Sequence, residues 1–284
     1  METRISSLSK EVIIGDGLPT VLIGERINPA GKKSMAEALK TGNFESIRNE
    51  AIAQVQAGAD IIDVNTTLFG VDEVSILPKA VQTVMETVDV PLCIDSANTA
   101  ALEAALKIYK GKPLINSVTG EEKSLARVLP LVKEYKAAVV GLTQDDEGIP
   151  DNAERRVAIA RKIIERAEKE GISRENIIID CLALAVGANP ASSILATETA
   201  RRIKAELGVN ITIAVSNISF GMPDRSLLNS AFAAAMIAAG ATCLIVDTAK
   251  LRPAVLAADL LMSRDKRARR YTNAFRERQK LQQT

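Results

Sequence analysis

Histidine is missing from this chain altogether, and so is tryptophan. Without an imidazole, no Ser-His-Asp triad, Cys-His dyad or histidine-held metal can be assembled. Any chemistry must run on carboxylates, amides, hydroxyls, lysine, arginine or a bound cofactor. Aromatic residues make up only 3% of the chain. The core must therefore come from Ala, Val, Ile and Leu, which suits repeated layers of strand and helix better than an aromatic-rich β fold. The three cysteines, Cys93, Cys181 and Cys243, stand singly in apolar runs with no CxxC pair, the pattern of free buried thiols in a reducing compartment. No uninterrupted apolar run reaches membrane-spanning length and no signal-peptide pattern opens the chain, so a soluble, cytoplasmic protein is expected, with no membrane partner. The formal net charge of +1 argues against general nucleic-acid binding, which needs a basic face.

What is present is a long, core-rich chain of 284 residues, 47% hydrophobic and 25% charged, enough for one large barrel or two small domains. The charge is unevenly spread. Residues 264–280 hold eight basic and two acidic side chains, an excess of six that leaves the rest of the chain near −5. That segment reads as a solvated C-terminal helix, or as a contact with a partner or sister subunit.

Short runs rich in Ile, Val and Leu recur at residues 21–25, 61–65, 91–95, 113–117, 137–143, 177–181, 211–216 and 242–247. Such runs fit parallel strands buried on both faces. Between them, residues 44–57, 72–88, 99–109, 123–135, 153–170, 191–207, 226–239 and 253–262 carry apolar residues at three- and four-residue spacing. Gly58, Gly111, Gly171, Gly208 and Gly240 follow helical segments, where glycine accepts the left-handed conformation that ends a helix. Eight alternating units predict right-handed crossovers and a closed TIM (β/α)8 barrel of class α/β. A doubly wound open sheet would carry a glycine-rich phosphate turn early in the chain, and Gly24-Glu25-Arg26-Ile27-Asn28 lacks that form. No linker divides the chain. Residues 1–20 are expected to be an N-terminal extension forming a plug or hairpin over the barrel bottom, 21–263 the barrel, and 264–284 a basic helix or tail.

Reactive groups in such barrels sit at the C-terminal ends of the strands. Those ends read Glu25 leading to Asn28, Asp63-Val64-Asn65, Asp95-Ser96-Ala97-Asn98, Asn116-Ser117, Thr143-Gln144-Asp145-Asp146, Asp180, Ser216-Asn217 and Asp247. Lone polar residues after a strand often cap the next helix, a role expected of Thr99, Asp151 and Asn98. Asp63, Asp95 and Asp180 differ, because each closes an apolar run and should point into the barrel mouth. Unpaired buried carboxylates cost several kcal/mol each, and a ligand with fixed donors would offset that. Asn65, Asn116 and Asn217 add amides that donate and accept. The ring suits a neutral heterocycle with amino and amide edges. Oxygen ligation of Mg²⁺ or Mn²⁺ by the three aspartates is the competing reading, though no DxD pair or phosphate loop supports it. Two-carboxylate glycosidase chemistry is another, disfavoured by the lack of tryptophan for sugar stacking.

Taken in order, Ile23-Gly24-Glu25-Arg26-Ile27-Asn28, Asp63-Val64-Asn65, Leu92-Cys93-Ile94-Asp95-Ser96, Ile115-Asn116-Ser117, Gly141-Leu142-Thr143, Ile179-Asp180 and Ser216-Asn217-Ile218-Ser219 resemble the pterin-binding methyltransferase family, that of the methyltetrahydrofolate:corrinoid protein methyltransferases. The resemblance spans residues 21–247. It implies a barrel of the dihydropteroate synthase type that moves a methyl group, in either direction, between nitrogen 5 of methyltetrahydrofolate and the cobalt(I) of a corrinoid held on another protein. It also implies a homodimer. No metal is expected on this chain, and with no histidine it offers no imidazole as a lower ligand to the corrinoid. By the same resemblance Asp95, Asn116 and Asp180 contact the pterin ring. Asn217 is the catalytic asparagine that reaches the methyl-bearing nitrogen, Asp63 and Asn65 line the floor, and Ser216 and Arg225 contact substrate or shape the mouth. Phe220-Gly221-Met222-Pro223-Asp224-Arg225 departs from the polar loop usual at this place. Two rival readings remain. Dihydropteroate synthases share the barrel but carry Ser-Thr-Arg-Pro after strand two and a late Ser-x-Arg-His, whereas this chain has Thr66-Thr67-Leu68-Phe69-Gly70 and no histidine. A non-catalytic pterin- or corrinoid-binding subunit would not need Asn217.

Overall fold

The structure is a computed structural model and describes residues 1–282. It opens with an antiparallel hairpin, β1 (Glu2–Ser6) against β2 (Glu11–Gly15). Eight parallel strands follow: β3 (Val21–Ile27), β4 (Ile61–Asn65), β5 (Leu92–Asp95), β6 (Leu114–Thr119), β7 (Ala138–Leu142), β8 (Ile177–Asp180), β9 (Asn210–Thr212) and β10 (Cys243–Val246). From β3 to β9 each bonds to the next in sequence, and β10 bonds back to β3. The remaining seam is joined by Thr242 N–H donating to Ile211 O at 3.0 Å and Ile245 N–H to Ile213 O at 3.0 Å. The sheet thus closes into the expected (β/α)8 barrel.

The helices lie outside it. Between β3 and β4 there are two, α1 (Lys33–Thr41) and α2 (Glu45–Gln56), where the spacing predicts only the second. Then come α3 (Glu73–Thr87), α4 (Thr99–Ile108), α5 (Glu122–Glu134), α6 (Ala153–Lys169), α7 (Ser192–Leu207), α8 (Arg225–Ala238), α9 (Thr248–Leu261) and α10 (Arg269–Gln282). Gly208, with φ 68°, closes α7 in the left-handed conformation expected of it. Of the three expected helix caps only Asn98 caps a helix: it starts α4, accepting from Ala100 and Ala101 N–H at 3.1 and 3.4 Å, with Thr99 the first residue inside. Asn152 rather than Asp151 caps α6, accepting from Arg155 N–H at 2.9 Å. In each case the asparagine is the residue with extended backbone from which a short side chain reaches back to the first turn. Among the described residues no helix is long and apolar enough to cross a membrane.

Two apolar layers explain the strand sequences. Outward residues such as Ile62, Val64, Leu92, Ile94, Ile115, Ile177 and Ile179 pack under the helices. Inward residues such as Val21, Ile23, Ile61, Cys93, Leu114, Val140 and Ile178 fill the barrel. Ile5, Val12 and Ile14 of the hairpin join that inner cluster, so β1 and β2 stopper the barrel at the N-terminal ends of its strands. The buried Asn210 holds the stopper, donating to Thr3 Oγ1 at 2.9 Å and to Ile14 O at 3.0 Å. At the other end of the chain the basic segment is only partly solvated. Fully buried Asp259 accepts from Thr20 N–H and Oγ1 at 2.9 and 2.6 Å and pairs with Arg270 at 3.4 Å. Arg264 donates to Ala241 O at 2.7 Å and to Ile237 O at 3.0 Å. Two of the eight basic residues therefore lock the C-terminal segment onto the barrel.

Candidate active site

Because side chains alternate along a strand, a polar residue two positions above an inward apolar one also faces inward. Ile61, Asp63 and Asn65 share one face of β4, while Ile62 and Val64 belong to the outer layer. Cys93 and Asp95 share the inner face of β5, Leu114 and Asn116 that of β6, and Ile178 and Asp180 that of β8. Parallel register then aligns them: Asn65 lies beside Asp95, and Asp95 beside Asn116. The fold thus assembles a polar storey at the C-terminal ends of the strands, above an apolar one.

That storey is hydrogen-bonded within itself. Asn65 Nδ2 donates to Asp95 Oδ2 at 2.8 Å, and Asn116 Nδ2 donates to Asp63 Oδ1 at 3.2 Å. Asp180 Oδ1 accepts from Leu182 N–H at 2.7 Å. Among the described residues none of the three aspartates forms an ion pair. Asp63 is 3% and Asp180 4% exposed. Burial drives the carboxyl of Asp63 well above the usual range, reinforced by the neighbouring Asp95 charge and opposed by hydrogen bonds from Cys93 and Asn116. Burial lifts Asp95 to about 6, against the pull of Asn65, and Glu73 adds to the rise. Asp180 is likewise lifted to about 6 by burial, opposed by the Leu182 and Ala214 backbone and by Arg156. These are half-satisfied acceptors held ready for donors that the protein itself does not supply.

The mouth is completed by β3 and by the chain after β9. The spacing predicts that strand seven runs to residue 216, but β9 ends at Thr212 and residues 215–219 wind into a 3-10 turn. That turn lifts Asn217 out of the sheet. Its side chain is exposed and has no hydrogen-bond partner among the described residues. Ser216, one residue earlier, donates from Oγ to Glu25 Oε2 at 3.0 Å. Glu25 is raised above the ordinary carboxylate range, chiefly by burial, with the Ser216 hydrogen bond opposing. Arg225, the first residue of α8, reaches back to Ser216 O at 2.8 Å and Ser219 Oγ at 3.0 Å, and lies 6.0 Å from the Phe220 ring centre. The structure therefore brings Asp63, Asn65, Asp95, Asn116 and Asp180 together in one storey, and places Ser216, Asn217 and Arg225 on and just after the turn that follows β9, the strand beside β8. Gly24 permits a supporting bond beneath Glu25: a Cβ there would fall 2.3 Å from Gln54 Oε1, which accepts the Arg26 N–H at 2.9 Å. Among the described residues no group of three Cys, Asp or Glu side chains has the arrangement that holds a metal ion.

Sequence reasoning passed over one neighbour of this storey, Arg156, which donates to Cys181 O and Leu182 O just after Asp180. It sits in the buried stripe of α6 with Ala153, Val157, Ala160, Ile163 and Ala167. An arginine at helical spacing within an apolar stripe is the signal that could have found it.

Comparisons with known proteins agree with this geometry. The family model described as "Pterin binding enzyme" matches residues 24–247, the span from β3 to the residue after β10. The methylcorrinoid:tetrahydrofolate methyltransferase of Eubacterium limosum is 33% identical over 90% of this chain and 96% of its own length. The methionine synthase of Mycobacterium tuberculosis is 31% identical over 89% of this chain, which matches 22% of that longer protein. Among solved structures, the dihydropteroate synthase of Yersinia pestis bound to a pterine-sulfa conjugate superposes with a TM-score of 0.71 over 93% of this chain and all of its own, at 17% identity. The Xanthomonas albilineans dihydropteroate synthase in complex with 7,8-dihydropteroate gives 0.67 over 91% of this chain and 98% of its own, at 19% identity. These last two speak for the fold. On the matched span of barrel, polar storey and mouth, the chain belongs to the pterin-binding enzyme family.

Proposed function

We propose that this protein transfers a methyl group between nitrogen 5 of a tetrahydrofolate and the cobalt of a corrinoid carried by a separate protein. The observation that carries the proposal is the pairing of a buried acceptor ring, Asp95, Asn116 and Asp180, with an asparagine, Asn217, that is exposed on the turn after β9 and has no hydrogen-bond partner among the described residues. A pterin ring presents an amino group, a ring N–H and a carbonyl along one edge. Asp95 and Asp180 can accept from the N–H groups, and Asn116, which also donates to Asp63, can meet the remaining positions. Such contacts orient the ring so that its methylated nitrogen lies toward Asn217.

The chemical difficulty is the leaving group. As the N–CH₃ bond breaks and the Co–CH₃ bond forms, negative charge develops on the pterin nitrogen. The corrinoid supplies a strongly nucleophilic cobalt(I). This chain's share is to hold the ring, keep water from its polar edge and donate a hydrogen bond to the nitrogen. With no histidine present, the Asn217 amide is the donor, and its neighbour in the chain, Ser216, donates from Oγ to Glu25 Oε2 at 3.0 Å. Glu25, whose carboxyl is raised by burial, can hold the proton that the nitrogen gains. Read backward, the same contacts serve methyl transfer from the corrinoid to tetrahydrofolate, since both directions share one transition state. The methylcorrinoid:tetrahydrofolate methyltransferase relative is named for that direction.

The test is Asn217→Ala assayed with methyltetrahydrofolate and free cob(I)alamin. Loss of a hydrogen bond made in the transition state should lower turnover by about 10²–10³-fold. Turnover within a few-fold of the unaltered protein would remove Asn217 from the reaction. Failure of the unaltered protein to methylate cob(I)alamin at all, together with failure to bind tetrahydrofolate, would overturn the functional reading itself.

A further inference from the structure

Arg156 is the largest fully buried side chain, 1% exposed, and it forms no ion pair among the described residues. Its partners are three backbone carbonyls. Nε donates to Pro150 O at 2.8 Å, and Nη1 donates to Cys181 O and Leu182 O, each at 2.7 Å. Cys181 and Leu182 are the two residues that leave β8 immediately after Asp180. Leu182 adopts φ 52°, a left-handed conformation that residues with a bulky side chain rarely take unless their surroundings impose it. That conformation turns the Leu182 N–H onto Asp180 Oδ1 at 2.7 Å. On the other side of the carboxylate's backbone, Thr143 Oγ1 donates to Asp180 O at 3.1 Å.

We propose that Arg156 is a positioning residue for pterin recognition: its guanidinium clamps the exit from β8 so that Leu182 fixes the Asp180 carboxylate with acceptor capacity left for the ligand. The inference rests on the reading of Asp180 as a pterin contact. The guanidinium suits the task because its planar fork serves the carbonyls of two loops at once and stays charged when buried. Carbonyls take three of its five N–H groups without cancelling its charge, so a full positive charge lies behind Asp180. Of the groups that face Asp180 among the described residues, Arg156 is the one cation, while the thiols of Cys181 on β8's exit and Cys243 on β10 are neutral neighbours pushed up by their own burial. A positive charge there favours the ionised carboxylate that a ring N–H needs as acceptor.

The experiment compares Arg156→Gln, Arg156→Lys, Asp180→Asn and the double variant Arg156→Gln/Asp180→Asn. The first readout needs no ligand. Carbon-13 NMR of aspartate carboxyls, assigned by the signal lost in Asp180→Asn, should show Asp180 titrating at higher pH in Arg156→Gln than in the unaltered protein. In Arg156→Lys, which keeps the charge, it should stay close to the original position. The second readout is calorimetric affinity for tetrahydrofolate, expected to fall by about 10- to 100-fold in Arg156→Gln, in line with loss of a residue that orients a binding group. kcat at saturating folate should stay within about threefold. The double variant should bind no worse than Asp180→Asn alone. An unmoved Asp180 titration in Arg156→Gln, or losses that add in the double variant, would overturn the proposal. Should Arg156→Gln fail to fold, Arg156→Lys decides alone, because it lacks the fork: undiminished folate affinity there overturns the clamp. If the unaltered protein does not bind tetrahydrofolate, the functional reading falls, while the NMR titration still reports whether Arg156 governs Asp180.

Discussion

The aspartates of the inner storey are the residues whose chemistry and stability pull in opposite directions. Asp180 and Asp95 bind their protons more tightly in the fold, at about 6, than the ordinary carboxylate at 3.8. The sign of the linkage follows. Each is favoured in its neutral form by folding, so its contribution is fully present below about pH 4 and is lost as pH rises through 6. Above that pH the protein carries two buried charges that form no ion pair among the described residues, with only the nearby Arg156 charge easing that of Asp180. Asp180→Asn should therefore raise the stability of the ligand-free protein at pH 8, by roughly 1–3 kcal/mol if most of the shift is recovered. The gain should vanish near pH 4.5. Thermal unfolding at the two pH values checks this, and a variant destabilised at pH 8 would contradict it. Folate binding should show the reverse preference. If ionised Asp95 and Asp180 accept the pterin N–H groups, affinity should weaken as pH falls below about 6. Calorimetry from pH 7.5 to 5 should show that decline in the unaltered protein and a shallower one in Asp180→Asn.

At the scale of elements, the turn at residues 215–219 matters more than any strand. β9 is the shortest barrel strand, three residues long, and the chain leaves the sheet early so that Asn217 can overhang the mouth. Arg225 fastens this turn at both ends, to Ser216 O and to Ser219 Oγ. Replacing Arg225 by Ala should let Asn217 wander, lowering kcat by about tenfold or more while KM for the folate changes less. A change confined to KM would mean that Arg225 binds the folate rather than steadying the turn. These features differ in how openly the sequence displays them. The barrel was legible because eight apolar runs alternate with amphipathic helices, and Asp63, Asp95, Asn116 and Asp180 were legible because each breaks an apolar run at its C-terminal end. The early end of β9 was not, since residues 211–215 are Ile-Thr-Ile-Ala-Val, as good a strand as any other. What ends it is the tertiary demand of the seam, where Ile213 and Ala214 bond to β10 without continuing the ladder to β8. Helix α1 escaped for a different reason: Lys33–Thr41 begins without a capping side chain, so neither the usual start signal nor a long periodic stripe announces it. Arg156 was hidden by its chemistry, because a charged residue is read as solvated until a structure shows three carbonyls around it.

For the whole molecule, the barrel separates what keeps it folded from what it acts upon. The hairpin stopper and the Asp259–Arg264–Arg270 lock lie with the N-terminal ends of the strands, and the polar storey opens at the opposite end. Around that opening the connections carry bare apolar side chains. Phe69, after β4, is 100% exposed, and Phe220, after the Asn217 turn, is 71% exposed. Leu184, after β8, and Ile149, after β7, are also exposed. A monomeric surface leaves single apolar residues uncovered without consequence, but several on the loops of one mouth form a face suited to a partner. Under the proposed function, the cobalt must come down onto the pterin through this rim, and the protein carrying it must rest there. Phe69 and Phe220 are exposed on loops and lie outside the strand ends that carry Asp95, Asn116 and Asp180, so their loss should leave pterin recognition intact. The double variant Phe69→Ser/Phe220→Ser should then methylate free cob(I)alamin at close to the original rate. With a protein-bound corrinoid the rate at limiting acceptor should fall, by about tenfold for each aromatic anchor that contributes 1–2 kcal/mol to docking. Equal losses with the free and the protein-bound acceptor would place the two phenylalanines in the reaction pocket instead, and no loss with either would leave the rim without a part in delivery of the methyl group.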